Sequence, residues 1–297
     1  MAFEIVPSGD ALGAEVRGVD LSRPLDAEAL ERAWSDHLVL LFRDQTLADE
    51  DLLALAEAMG GAQEAGSRSY YLKGGYGVET GRVSRLPGIS IVSNLDETGK
   101  PAKRHAGTGS QELTWHTDNS YVEQPPKGSI LYAHKVPVNG GGDTSFANQY
   151  AAYERLPEAT RRRLPGLTVR HDSSRNTAGG LRPTVTAPAS RAEVPGPVHP
   201  LLRRHPVTGR AALYLGRRYK APSSHIVELD EAESEALLDE LWAAATDPGI
   251  VWTHVWRPGD VLIWDNRCTM HARTEVDATQ PRVLHRTLIR GERPVAA

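Results

Sequence analysis

Cysteine is nearly absent from this chain, and that absence narrows its chemistry before any motif is considered. Cys268 stands alone among 297 residues, so one chain can build neither an internal disulfide framework nor a thiolate metal cluster. Any bound metal must use nitrogen and oxygen ligands. A surplus of one charge is also missing: 34 basic and 38 acidic residues, interspersed, leave a net charge of -4. No global field would draw in nucleic acid or an anionic membrane, and a small-molecule partner is expected instead. Nor is there an apolar run of about eighteen residues, long enough to span a membrane. The start, Met1 to Pro7, lacks a basic region followed by an apolar stretch, so a cytoplasmic place is expected. The sequence shows no internal repeat, heptad or low-complexity tract.

What is present is ordinary globular material. The hydrophobic share is 40% and the charged share 24%, and a chain of this length can bury a sizeable core in one domain. Apolar spacing predicts helices over Asp26 to His37, Ala48 to Met59, Ala147 to Leu156 and Asp230 to Ala245. Short strand-like runs are predicted at Leu38 to Arg43, Ile89 to Ser93, Ser129 to Val136, Ile250 to Trp256, Asp260 to Trp264 and Val283 to Ile289. Gly60 to Gly88 shows no period and reads as a loop, with Asn139 to Thr144 as a turn. Three segments, 63–88, 97–113 and 173–200, are candidate lids over a site. Short strands without regularly alternating helices predict a mainly β fold with flanking helices, a double-stranded β-helix or jelly-roll core.

The chemistry concentrates in Thr114-Trp115-His116-Thr117-Asp118. A histidine and a carboxylate two residues apart on a strand share one face and can grip one ion. Far downstream His271 supplies a second imidazole, and eleven residues later Arg282 brings a permanent positive charge. Two histidines and a carboxylate can occupy one face of an octahedral ion and leave positions open, as non-haem iron oxygenases require. Alone, each piece has a plainer explanation: a His-X-Asp triplet is commonly a surface ion pair, and eleven histidines are present. The ligand types also suit zinc, so a zinc-dependent hydrolase stays open at this point.

Order and spacing add a resemblance. Trp115-His116-Thr117-Asp118, Gly141-Gly142-Asp143-Thr144, Trp264-Asp265-Asn266-Arg267 with His271, and Arg282 to Arg286 resemble the taurine/2,4-dichlorophenoxyacetate dioxygenase family, as do Leu12 to Leu21 and Val39 to Gln45. The likeness covers nearly the whole chain. It implies an iron(II) enzyme that consumes 2-oxoglutarate and O2, with His116, Asp118 and His271 as metal ligands and Thr144 and Arg282 on the distal carboxylate of 2-oxoglutarate. It further implies that Arg286 meets an acidic group of the primary substrate, against the plainer reading of a structural ion pair. The carboxylate of Asp118 points to a hydroxylase, because halogenating relatives carry a small residue there. Relatives form dimers or tetramers, and a homo-oligomer is an accompanying expectation.

The chain departs from the taurine pattern at the substrate end. That pattern has a histidine in the loop occupied here by Ser67 to Tyr71 and an asparagine where Glu112 stands. Tyr70 and Tyr71 are candidate pocket residues. Glu112 would repel an anionic substrate unless turned away, and it could instead receive an amino group. The segment holding Asn94-Leu95-Asp96 and Lys103-Arg104-His105 resembles the phenoxyacetate-cleaving branch. The main expectation is therefore hydroxylation, with or without fragmentation, of a small anionic compound. A biosynthetic hydroxylase acting on an amino acid or natural-product intermediate is the alternative, and a metal-free or zinc-binding jelly-roll protein is the alternative of another class.

Overall fold

The computed structural model describes residues 3–64, 68–80, 83–96, 98–103, 109–138 and 140–297. Ser67, Arg104, His105, Asn139 and the side chain of Tyr70 lie outside the described residues. The strand-like runs assemble into two main sheets. The larger has eight strands, running Glu4–Pro7, Ala14–Arg17, Val39–Phe42, Val261–Asp265, Gly128–Lys135, Val283–Ile289 and Ala62–Gln63, with Ile89–Ser93 also paired to Val283–Ile289. The smaller has four: Val251–His254, Thr144–Asn148, Thr269–Arg273 and Leu113–His116. Pairing is antiparallel in both, except that Ala14–Arg17 runs parallel to Val39–Phe42.

The sheets pack face to face because alternation gives each an apolar inner side. Leu131, Ala133, Leu262, Trp264 and Leu284 from the larger sheet meet Phe146 from the smaller in one buried cluster. The outer side of the larger sheet is apolar too, and the helices Ala27–His37 and Asp49–Ala58 cover it with Leu30, Trp34, Leu52 and Leu55. Asp26 caps the first of these, accepting from the Ala29 amide at 3.0 Å. Burying a side chain such as Leu52 contributes about 1.5–3 kcal/mol. Gly128 permits a close approach: a Cβ there would sit 2.5 Å from the Trp34 ring and 2.9 Å from the Trp264 carbonyl oxygen. A third cluster joins Leu237, Leu238 and Leu241 of the helix Glu231–Ala245 to Ala147 and Met270 of the smaller sheet. No helix among the described residues is long and apolar enough to cross a membrane.

Several expectations change in detail. Residues expected to form a loop between Gly60 and Gly88 include a short helix, Arg68–Lys73, and a 3-10 turn, Val78–Thr80. The helix predicted from Ala147 starts later: Thr144–Asn148 is a strand, and Asn148 then caps the helix Gln149–Arg155 through its side-chain oxygen. Ser173 to Pro200 is not structureless, since it holds an Arg175–Leu181 bridge, the 3-10 turn Arg191–Glu193 and the strand Val198–Pro200. Most consequentially, the strand carrying His116 ends there. Asp118 lies in the following turn, where the Thr117 amide donates to the Gly216 carbonyl at 2.9 Å and Asn119 has a φ of 48°. A turn, not strand alternation, sets the relation of His116 to Asp118.

Candidate active site

His116 and His271 stand directly opposite in the antiparallel pairing of their strands, which brings their rings to 4.1 Å between centroids. The Asp118 carboxylate completes the group, with one ligand atom from each of the three residues within 4.8 Å of the other two. All three are buried, at 3%, 3% and 7% exposure for His116, Asp118 and His271. The Nδ1 of His116 lies 2.8 Å from the Thr114 carbonyl. A carbonyl only accepts, so that nitrogen carries the proton and Nε2 keeps its lone pair, 3.8 Å from Asp118 Oδ1. His271 Nδ1 is buried with no hydrogen-bond partner, and its ring is held between Trp264 at 4.9 Å and Phe146 at 5.9 Å.

The electrostatics suit a cation. Burial lowers His116 well below its ordinary range and lowers His271 to about 4, with His271 and Arg217 adding to the effect on His116. Both imidazoles are therefore neutral and able to ligate near neutral pH. Burial alone would raise Asp118, but Arg286, His271, His116 and the Ser129 hydroxyl together outweigh it and keep the group ionised. Two neutral nitrogens and one buried carboxylate, gathered without a disulfide or thiolate, are a donor set that fits ferrous iron.

The Trp264-Asp265-Asn266-Arg267 stretch explains how Asp118 is aimed. Trp264 Nε1 donates to Asn266 Oδ1 at 3.0 Å, Asn266 Nδ2 to Ser129 Oγ at 3.1 Å, and Ser129 Oγ to Asp118 Oδ2 at 2.9 Å. Asp265 anchors the same stretch, accepting from Arg267 Nε at 2.9 Å and Nη2 at 2.6 Å and from His205 Nε2 at 3.0 Å. Arg286 Nη1 donates to both oxygens of Asp118, at 3.0 and 2.9 Å. The structure thus joins Arg286 to Asp118, while its Nε stays buried without a partner.

Thr144 and Arg282 line the same cavity, which measures about 1170 Å³. Trp256 Nε1 donates to Thr144 Oγ1 at 2.9 Å, and since an indole only donates, the threonine hydroxyl hydrogen is directed elsewhere. Arg282 is 2% exposed. Its backbone amide donates to Asn94 Oδ1 at 2.8 Å, its Nη2 to the Gly142 carbonyl at 3.0 Å, and its Nε has no partner. Burial and the neighbouring Arg273 push this guanidinium well down from its ordinary range, with Asp143 opposing. A guanidinium does not give up its proton in a protein, so the position amounts to a demand for an anion.

The predicted substrate residues divide. Tyr71 lines the cavity from the Arg68–Lys73 helix. Glu112 is exposed, whereas its neighbours Gln111 and Leu113 line the cavity; its carboxylate faces solvent and leaves the cavity wall to them. Sequence reasoning missed Arg217 and Arg273, which both line the cavity. Arg273 is two residues beyond His271 on one strand, so alternation was an available signal. Arg217 follows Gly216 in a segment with no period, and nothing local marked it. Its guanidinium stacks 4.8 Å above the Tyr121 ring, with Arg182 at 4.2 Å from the same ring.

Comparison with known proteins agrees with this geometry. The family described as "Taurine catabolism dioxygenase TauD, TfdA family" matches residues 4–288. The chain belongs to the TauD/TfdA dioxygenase family. It is a non-haem iron enzyme using 2-oxoglutarate and O2. Within the family, it is 33% identical to a (S)-phenoxypropionate/alpha-ketoglutarate-dioxygenase of Sphingobium herbicidovorans, over 98% of this chain and 96% of that one. It is 32% identical to a pentalenolactone F synthase of Streptomyces avermitilis, over 94% of this chain and 91% of that one. Among solved structures, AAD-2 in complex with Mn(II) and N-oxalylglycine is similar with a TM-score of 0.80 and 30% identity, over 100% of both chains.

Proposed function

We propose that His116, Asp118 and His271 hold the iron, that Thr144 and Arg282 hold the distal carboxylate of 2-oxoglutarate, and that this dioxygenase hydroxylates a carbon of a small organic anion. The convergence of three buried ligand atoms within 4.8 Å of one another, from segments far apart in the chain, carries the reading. The two facing antiparallel sheets support a double-stranded β-helix as the frame. Bound iron, with 2-oxoglutarate and O2, supplies the oxidising power: 2-oxoglutarate loses carbon dioxide to become succinate, and one oxygen atom enters a C–H bond of the substrate.

The protein's own part is to bind, orient and exclude water. The proton on His116 Nδ1 is tied to Thr114, which fixes the tautomer and turns Nε2 toward the metal. Arg286 and Ser129 keep Asp118 ionised and aimed. Arg282 offers paired donors that match a carboxylate, and the Thr144 hydroxyl has a hydrogen left to give. Gly142 makes room for this clamp: its φ is +73°, and a Cβ would lie 2.6 Å from Arg282 Nε. Gly142→Ala should therefore displace the guanidinium and raise the KM for 2-oxoglutarate by about tenfold or more, measured by succinate release at saturating substrate. An unchanged KM would remove Gly142 from the clamp.

Arg217 and Arg286 both line the cavity, and together they favour an acidic group on the primary substrate. The candidate lid segments 63–88, 97–113 and 173–200 each contribute to the cavity lining, through residues such as Tyr76, Gln111 and Leu181, which supports a role as lids. Similarity to the phenoxypropionate dioxygenase supports an aryloxy acid. Similarity to the pentalenolactone F synthase favours a second reading, a biosynthetic acid. An amino-acid substrate loses support, because Glu112 faces solvent. Anaerobic addition of iron(II) and 2-oxoglutarate should give a visible charge-transfer band, and its absence would refute the cofactor assignment. Aryloxy acids should then stimulate succinate release far more than their neutral amides; equal stimulation would refute the anionic substrate.

A further inference from the structure

A second trio of metal-ligating side chains lies apart from the catalytic one. Asp49 opens the helix Asp49–Ala58, His134 is near the end of the strand Gly128–Lys135, and His285 belongs to Val283–Ile289. One ligand atom from each lies within 4.8 Å of the other two. Alternation along Val283–Ile289 separates this group from the iron site: Arg286 turns to Asp118, whereas His285 Nδ1 turns to Asp49 Oδ1 at 2.6 Å. The register between the two strands slips at this point, from Val283 opposite Lys135 to Leu284 opposite Ala133. His134 is thereby left with no residue directly opposite, and its ring packs 4.1 Å from that of His285.

The hydrogen-bond inventory makes this group incomplete. His134 Nε2 is buried and has no partner. A third trio among the described residues, His205, Asp265 and Cys268, differs on this point. There His205 Nδ1 accepts from the Val207 and Thr208 amides at 3.3 and 3.1 Å while Nε2 meets Asp265, so its imidazole is fully used. At the outer trio, the side chains of His285 and Asp49 keep 20% and 23% exposure, so an ion can reach them from solvent.

We propose that Asp49, His134 and His285 form a second site, for a zinc-class divalent cation, with water completing the coordination. Two imidazoles and one carboxylate suit zinc and its neighbours rather than calcium or magnesium, which prefer oxygen ligands. Burial and the adjacent His285 lower His134 from its ordinary range, which keeps its nitrogen available as a lone pair. The cation displaces the hydrogen bond between His285 Nδ1 and Asp49, and the single proton of the neutral imidazole passes to the other ring nitrogen. It also ties the helix Asp49–Ala58 to two central strands of the larger sheet, so binding stabilises the fold.

The test uses chelator-stripped full-length protein with zinc chloride as probe. Metal content after gel filtration should fall by one zinc equivalent in His134→Ala relative to wild type, whether or not the catalytic trio also takes zinc. Zinc at about a hundred times its Kd should raise the Tm of wild type by about 4 °C. In the His116→Ala background, where only the outer trio of the two is intact, the rise should persist, and adding His134→Ala should abolish it. Asp49→Asn keeps the shape and a hydrogen bond to His285 but removes the charge, and in the same His116→Ala background it should lose the rise as well. Wild-type zinc content in either folded outer-site variant, or no zinc-dependent rise in wild type, would overturn the second site.

Discussion

Succinate release should fall by more than about 100-fold when Asp118 is replaced by Ala, because even the outer partners of metal ligands commonly cost 10–100-fold. Asp118 carries the only charge among the three proposed ligands, and without it two neutral imidazoles must hold a dication. The substitution has a second consequence, since Arg286 Nη1 bonds both Asp118 oxygens and would become an uncompensated, largely buried cation with 17% of its side chain exposed. Breaking such a pair costs about 3–5 kcal/mol, so reduced folding could imitate lost catalysis. Asp118→Asn keeps the volume, and His271→Ala breaks no ion pair; both should lose iron and turnover while melting cooperatively. Assays of iron content, succinate and circular dichroism on the same samples separate the causes. Sustained turnover in folded His271→Ala would end the assignment of the trio.

The second large effect is expected at Arg282. Its replacement by Ala should raise the KM for 2-oxoglutarate by roughly 100-fold, equivalent to about 3 kcal/mol for two charge-assisted hydrogen bonds. Iron content should stay unchanged, because Arg282 touches none of the three ligands in the hydrogen bonds it makes, to Asn94 and Gly142. The Asn94 contact runs through the Arg282 backbone amide and survives the substitution. Arg282→Lys keeps the charge but loses the planar fork, and should fall between, at about tenfold. A fall in kcat with KM unmoved would show that the guanidinium acts elsewhere.

The residue types of the candidate site were legible: His116, Asp118 and His271 are metal-ligating types and Arg282 is a permanent cation, but each alone had a plainer explanation, and it was their order and the family resemblance that joined them. The structure brings the ligand atoms of His116, Asp118 and His271 together. What was not legible depends on the meeting of remote segments. Arg286 is held by Asp118, 168 residues away in the chain, and no local pattern announces such a pair. Asp118 lies past the end of its strand because the Thr117 amide bonds Gly216, a contact from another region altogether. The Arg68–Lys73 helix escaped notice since six residues are too few to display a helical period. The helix predicted from Ala147 was begun too early for a different reason: the strand Thr144–Asn148 continues the apolar character of the helix after it.

The chain of hydrogen bonds from Trp264 through Asn266 and Ser129 to Asp118 begins on an indole wedged among Phe146, Leu262 and Leu284. The proposed grip on iron is therefore only as firm as the apolar interior behind it. A conservative change such as Leu262→Val, in that core and not itself a proposed ligand, would first surface as faster metal leakage during warming, before any ordinary sign of unfolding.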